Sequence, residues 1–183
     1  MNLLDVGMTF KSKINILFVC ISIFTPIFLN AQEVPLVMHA ISDFPVLELD
    51  GFAPASKKGG RKVLSVNAAK YKDVFAAAQG NFKGKTGLYN ITINTLKEFD
   101  GESTYRILID NKLVATYQNP RTDKSGDFKA AGTTFKKIYV RKGSEIRVEF
   151  NSHTNGLIPE NGGTAYARGR WSSLIFAPHN SDK

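Results

Sequence analysis

The chain has one cysteine and one tryptophan in 183 residues, and only three histidines. One cysteine cannot form a disulfide within the chain, so a disulfide-stapled scaffold is excluded. A cysteine-rich zinc site is excluded by the same count. Acidic residues are also scarce, 16 against 24 Lys and Arg, a formal charge of +8. An excess of that sign suits nucleic acid, an anionic glycan or plain solubility. Familiar enzyme signatures are missing as well: there is no Gly-x-Ser-x-Gly elbow, no His-Glu-x-x-His and no phosphate loop. His39, His153 and His179 lie far apart in the chain. Apolar residues are plentiful at 43%, enough for a real core, and the length suits one ordinary domain.

Long apolar runs are limited to one. Lys11 and Lys13 precede residues 14–29, and the run gives way to Asn30-Ala31-Gln32. A basic start, an apolar stretch and a small residue at a cleavage point are the layout of a secretory signal. The run is short for a membrane span and contains Pro26. Cleavage after Ala31 is therefore expected, with residues 1–31 as signal helix and residues 32–45 as a leader. The product would be secreted or periplasmic, with no membrane attachment. Cys20 leaves with the signal, and 22 basic residues against 15 acidic ones keep a charge of +7. Export also argues against nucleic acid as the partner.

The rest alternates. Tyr89, Ile91 and Ile93 share one face, as do Tyr105, Ile107 and Ile109, and Ile146, Val148 and Phe150. Residues 104–109 and 113–117 flank Asp110-Asn111-Lys112 and read as a hairpin. Residues 135–141 and 145–150 flank Lys142-Gly143-Ser144 and read as a second one. Residues 171–176 form a last strand before Pro178, and residues 68–79 suit a helix or a strand equally. Several short strands spaced by turns predict an all-β antiparallel sandwich over residues 46–178, followed by a short tail. Residues 118–127 and 151–169 do not read as strands. The second stretch is long for a connection inside a compact domain, which marks it as a candidate functional loop.

Four segments together resemble the galactose-binding-like jelly-roll carbohydrate-binding modules of the family six and family thirty-five type. Glu48-Leu49-Asp50-Gly51-Phe52 resembles their opening acidic pair and aromatic. Gly87-Leu88-Tyr89 is similar to their Gly-x-Tyr strand. Ile109-Asp110-Asn111-Lys112-Leu113-Val114 resembles their strand, turn, strand hairpin, with Asn111 where they carry glycine. Residues 140–150, with Lys142-Gly143 at the turn, resemble their late hairpin. The resemblance implies a jelly roll and a non-catalytic role in binding polysaccharide. It departs at the end, where such modules carry an Asp and an Asn for calcium and sugar. This chain has Gly169-Arg170-Trp171-Ser172-Ser173 there.

A sugar site needs an aromatic face and planar polar groups that match hydroxyls, converging in a concave place. Asn151, His153, Asn155, Glu160, Tyr166, Arg168, Arg170 and Trp171 supply those types within one stretch. Tyr166 or Trp171 is expected to stack, with Arg168 and Asn155 holding hydroxyls or an anionic group. The plain alternative for Trp171 is core packing, since it starts a strand. Glu48 and Asp50 are candidate oxygen ligands for a structural calcium, though two carboxylates are far short of a full shell. No other cofactor is expected. Basic residues recur at Lys57, Lys58, Arg61 and Lys62, and again at Lys136, Lys137, Arg141 and Lys142. On one face they would attract an acidic or sulfated polysaccharide. The expectation is thus a secreted carbohydrate-binding module. A jelly-roll polysaccharide lyase and a cell-surface protein-interaction domain are the alternatives.

Overall fold

A computed structural model describes residues 34–48, 53–58, 60–123, 125–126 and 128–179. The expected signal, residues 1–31, and Asp50 lie outside them. Every regular element among the described residues is a strand. In chain order these are β1 (Leu36–His39), β2 (Val46–Glu48), β3 (Ala53–Lys58), β4 (Arg61–Ser65), β5 (Phe75–Asn81), β6 (Gly87–Leu96) and β7 (Thr104–Ile109). They continue as β8 (Lys112–Gln118), β9 (Ala130–Val140), β10 (Glu145–Asn151), β11 (Pro159–Glu160), β12 (Gly163–Thr164) and β13 (Trp171–Pro178).

Two antiparallel sheets face each other. One runs β3-β4-β13-β6-β9, with β1 also paired to β13, and the other runs β2-β5-β10-β7-β8. The alternation seen in sequence sets their facing surfaces. Ile91, Ile93, Tyr105, Ile107, Ile146, Val148, Phe150, Leu174 and Phe176 are all buried in one core. Each such side chain contributes roughly 1.5–3 kcal/mol on burial. Residues 68–79 resolve toward strand, since β5 begins at Phe75 and buries Ala76, Ala77 and Ala78.

The expected 104–117 hairpin forms. Asp110 and Asn111 take φ values of 48° and 63° in a two-residue turn between Ile109 and Lys112. Such left-handed pairs match the twist of the flanking strands.

Two expectations need correction. Residues 135–150 are not a hairpin. β9 pairs with β6 in one sheet, while β10 pairs with β5 and β7 in the other. The Lys142-Gly143 turn is an arch between sheets. It is tied to the β5–β6 connection by Phe82 N–H to the Ser144 carbonyl (2.9 Å) and Gly143 N–H to the Phe82 carbonyl (2.9 Å). Nor are residues 34–45 a leader. Leu36, Val37, Met38 and His39 pair in register with β13, and Phe44 is buried edge-on against Trp171 at 5.0 Å.

The topology sorts the connections into two ends. Residues 66–74, 97–103, the described part of 119–129, and 152–170 gather at one end of the sandwich. The 110–111 turn, the 82–86 connection and the 141–144 arch gather at the other.

Candidate functional site

The end carrying the four longer connections is organised around Glu98. Its side chain is almost fully enclosed. It accepts the backbone N–H groups of Arg168 (3.0 Å) and Arg170 (3.2 Å) and forms an ion pair with the Arg170 guanidinium. Burial pushes the Glu98 carboxyl up, against the pull of Arg170 and the two N–H groups. The Arg170 guanidinium lies 4.9 Å from the centre of the Phe128 ring. Such a buried pair is weak evidence for stability, but removing one partner strands the other charge. Here it fixes the path of the chain from Arg168 into β13.

Three of the expected ligand groups instead hold the 97–103 connection. Asn151 Oδ1 accepts the Thr104 N–H (2.7 Å), and His153 Nδ1 accepts the Glu102 N–H (3.1 Å). Asn155 donates from Nδ2 to the Phe99 carbonyl (2.9 Å) and from its backbone to the Asp100 carbonyl (3.0 Å). The backbone of this connection would otherwise lose hydrogen bonds on burial, so these side chains are structural staples.

Trp171 and Arg170 also leave the candidate list. Trp171 is fully buried and packs against Phe44 and Phe150, so it offers no platform to a ligand. Arg170 is 5% exposed and engaged by Glu98.

What stays accessible is a smaller group. Arg168 and Glu160 are exposed, Glu160 on the short β11–β12 hairpin. Tyr166 is half-buried, donates its hydroxyl to Asp73 (3.0 Å) and carries the Lys72 ammonium 5.4 Å from its ring centre. Bonding to the Asp73 carboxylate raises the Tyr166 phenol above its usual range.

Sequence reasoning missed Asp100. Its Oδ1 is buried with no hydrogen-bond partner among the described residues. Burial raises its carboxyl, opposed by its own N–H and then by Arg170 and Arg168, while Glu160 adds a like charge. A buried acceptor without a partner is costly, and Asp100 carries that cost at the loop end. The only local hint in the sequence is the turn dipeptide Asp100-Gly101.

The expected calcium ligands are placed only in part. Glu48 carries a bidentate pairing with Arg147, whose second nitrogen lies 2.6 Å from Oε2, and that contact holds its carboxyl below the usual range. A cation there would have to displace Arg147. No group of three or more His, Cys, Asp or Glu suited to a metal occurs among the described residues.

No family model matches the chain. An uncharacterized protein, P23, of Formosa agariphila is 33% identical over 122 residues, which is 66% of this chain and 27% of that protein. The chain therefore spans about a quarter of the length of the curated relative it matches. Among solved structures, a family 35 carbohydrate binding module from Clostridium thermocellum covers 80% of this chain and 100% of its own, with a TM-score of 0.51 and 12% identity. A family 6 carbohydrate-binding module covers 79% and 94%, with a TM-score of 0.54 and 9% identity. The insecticidal crystal protein Cry2Aa covers 79% and 21%, with a TM-score of 0.55 and 15% identity. At these identities the likeness is one of fold. The all-β jelly roll of carbohydrate-binding modules is the fold of this chain.

Proposed function

We propose that the protein is a non-catalytic carbohydrate-binding module whose ligand sits at the loop end, against Asp100, Arg168 and Tyr166. The observation that carries this reading is the buried, unpartnered Oδ1 of Asp100, at the same end of the sandwich as the exposed Arg168, whose charge acts on it. An acceptor and a fork of donors at one end of the sandwich match paired hydroxyls on a pyranose once the acceptor is uncovered. The half-exposed Tyr166 ring, two residues before Arg168 in the chain, supplies apolar surface. The fold shared with modules of this kind gives the reading its context, though a fold alone hosts many functions. Export, resting on the leader pattern in residues 1–31, belongs to the same proposal.

The charges that act at this end bear on the ligand. Glu98, Asp100 and Glu160 face Arg168 and Arg170, with Arg170 already engaged by Glu98. That balance supports a neutral, hydroxyl-rich chain here over the acidic or sulfated one expected from composition.

Affinity electrophoresis of the full chain through gels holding neutral polysaccharides tests the reading. Retardation by at least one, without new reducing or unsaturated ends, is expected. Arg168→Ala should weaken it by about tenfold while leaving the melting temperature in place, as removal of a central polar contact does. Release of unsaturated ends would convert the reading to a lyase. Retention by no glycan would convert it to a protein-interaction domain.

A further inference from the structure

The sandwich is open along one side. β8 and β9 are the outer strands of their sheets and lie beside each other there. A cleft of about 630 Å3 follows this side near the 110–111 turn, at the end opposite Asp100. Lys112 and Leu113 from β8, Ile138 and Tyr139 from β9, and the Asp110–Arg141 pair line it. The size falls within the range of small-molecule sites, roughly 300–1,000 Å3. Tyr139 is 58% exposed and Leu113 53%. Single exposed apolar residues are ordinary, but two that line one cleft make a platform.

Charge selects the occupant. Asp110 is fully used. It accepts Arg141 Nη2 (3.0 Å), Ser144 Oγ (2.9 Å) and the Glu145 N–H (3.0 Å), and these hold its carboxyl below the usual range. Its charge is thus cancelled by Arg141. No ion pair among the described residues reaches Lys112, and Lys142 is exposed in the adjoining arch. The surplus at the cleft is positive.

An added β-strand is a poor fit. β9 has a register shift opposite residues 89–91, with Lys137 at φ 60° and exposed Lys136 beside it. A bulge and edge lysines are devices that block strand pairing. A pyranose needs no such pairing. Its C–H face can lie on Tyr139 and Leu113 while an anionic substituent meets Lys112.

We propose that this cleft binds a glycan chain bearing carboxylate or sulfate groups, with a sugar face on Tyr139 and the anion at Lys112. It stands apart from the loop-end reading and does not depend on it.

Gels holding dextran sulfate, polygalacturonate or unmodified dextran test the proposal on the full chain. Retardation by one of the two charged polymers and not by dextran is expected. Tyr139→Ala and Lys112→Ala should each weaken it by about tenfold, because both lie at the centre of the contact. Arg168→Ala, at the other end, should leave it unchanged, which separates this test from that of the loop end. Tyr139 and Lys112 are exposed, so both variants should melt with the wild type. The proposal is overturned if Tyr139→Ala keeps wild-type retardation, or if Lys136→Ala removes as much as Lys112→Ala, since net charge alone would then explain the effect. Loss of a wild-type dimer in Tyr139→Ala by sedimentation would assign the cleft to a second copy of the chain.

Discussion

At Asp100 the chain keeps a carboxyl where its charge is disfavoured. The folded value is raised above the ordinary 3.8, chiefly by burial. For a carboxyl raised on folding, the native state holds the proton more tightly than the unfolded chain. The stability this lends is present at low pH and is lost as pH rises through the raised value. Asp100→Asn does not titrate and escapes that loss. Denaturation of both proteins across pH should show the variant gaining on the wild type as pH rises above the ordinary value of 3.8 and through the raised one. The opposite slope would show that Asp100 is favoured as an anion and is no open acceptor. The neighbouring residues explain why this was not legible. Asn151, His153 and Asn155 carry the polar types of a sugar site, and sequence shows no more than that. Their partners are Thr104, Glu102 and Phe99, about fifty residues away, and only the fold brings them together. Trp171 had two readings for a similar reason. It opens a strand at the loop end, and only the opposing sheet, through Phe150, with Phe44 beside it, decides that it is core.

Among the elements, strands were legible wherever alternation was clean. Tyr89, Ile91 and Ile93 in β6, and Ile146, Val148 and Phe150 in β10, point inward as their spacing predicts. Pairing was less legible. A tight turn such as Lys142-Gly143 serves a hairpin or an arch equally well. The choice is made by the Phe82 contacts from another connection. β1 is four residues long with no clean alternation, and its partner β13 is the last strand of the chain. The loop end depends on one such remote approach. A Cβ on Gly101 would lie 2.1 Å from the His153 carbonyl oxygen and 2.7 Å from its carbon. At Gly101 the backbones of residues 97–103 and 151–170 come into direct contact, beside the His153 ring. Gly101→Ala should therefore push the two connections apart and destabilise the fold by about 1–3 kcal/mol in urea. It should also weaken glycan binding, although Gly101 offers no side chain to a ligand. Destabilisation with unchanged binding would show that Asp100 and Arg168 do not form one site.

For the whole molecule, the charge of +8 has turned from a partner signal into a question of placement. Composition could not say where the surplus sits, because strands alternate and connections converge from distant parts of the chain. At the loop end the bases hold no surplus, with Asp73, Glu98, Asp100 and Glu160 against Lys72, Arg168 and Arg170. At the opposite end Asp110 is cancelled by Arg141, and Lys112 and Lys142 remain. The two ends should then respond differently to salt. Raising ionic strength from about 0.05 to about 0.5 M shortens the screening length from roughly 14 to roughly 4 Å. Attraction between exposed charges fades over that range, while hydrogen bonds to hydroxyls and contact with an aromatic ring do not. Calorimetric titration with a neutral oligosaccharide should therefore give an affinity that changes by less than about twofold across the series. Retardation by dextran sulfate should weaken by about tenfold or more across the same series, since each neutralised anion adds to the dependence. Equal salt sensitivity of the two ligands would mean that both are held by charge, and that the balance of acids and bases around Asp100 does not govern what binds there.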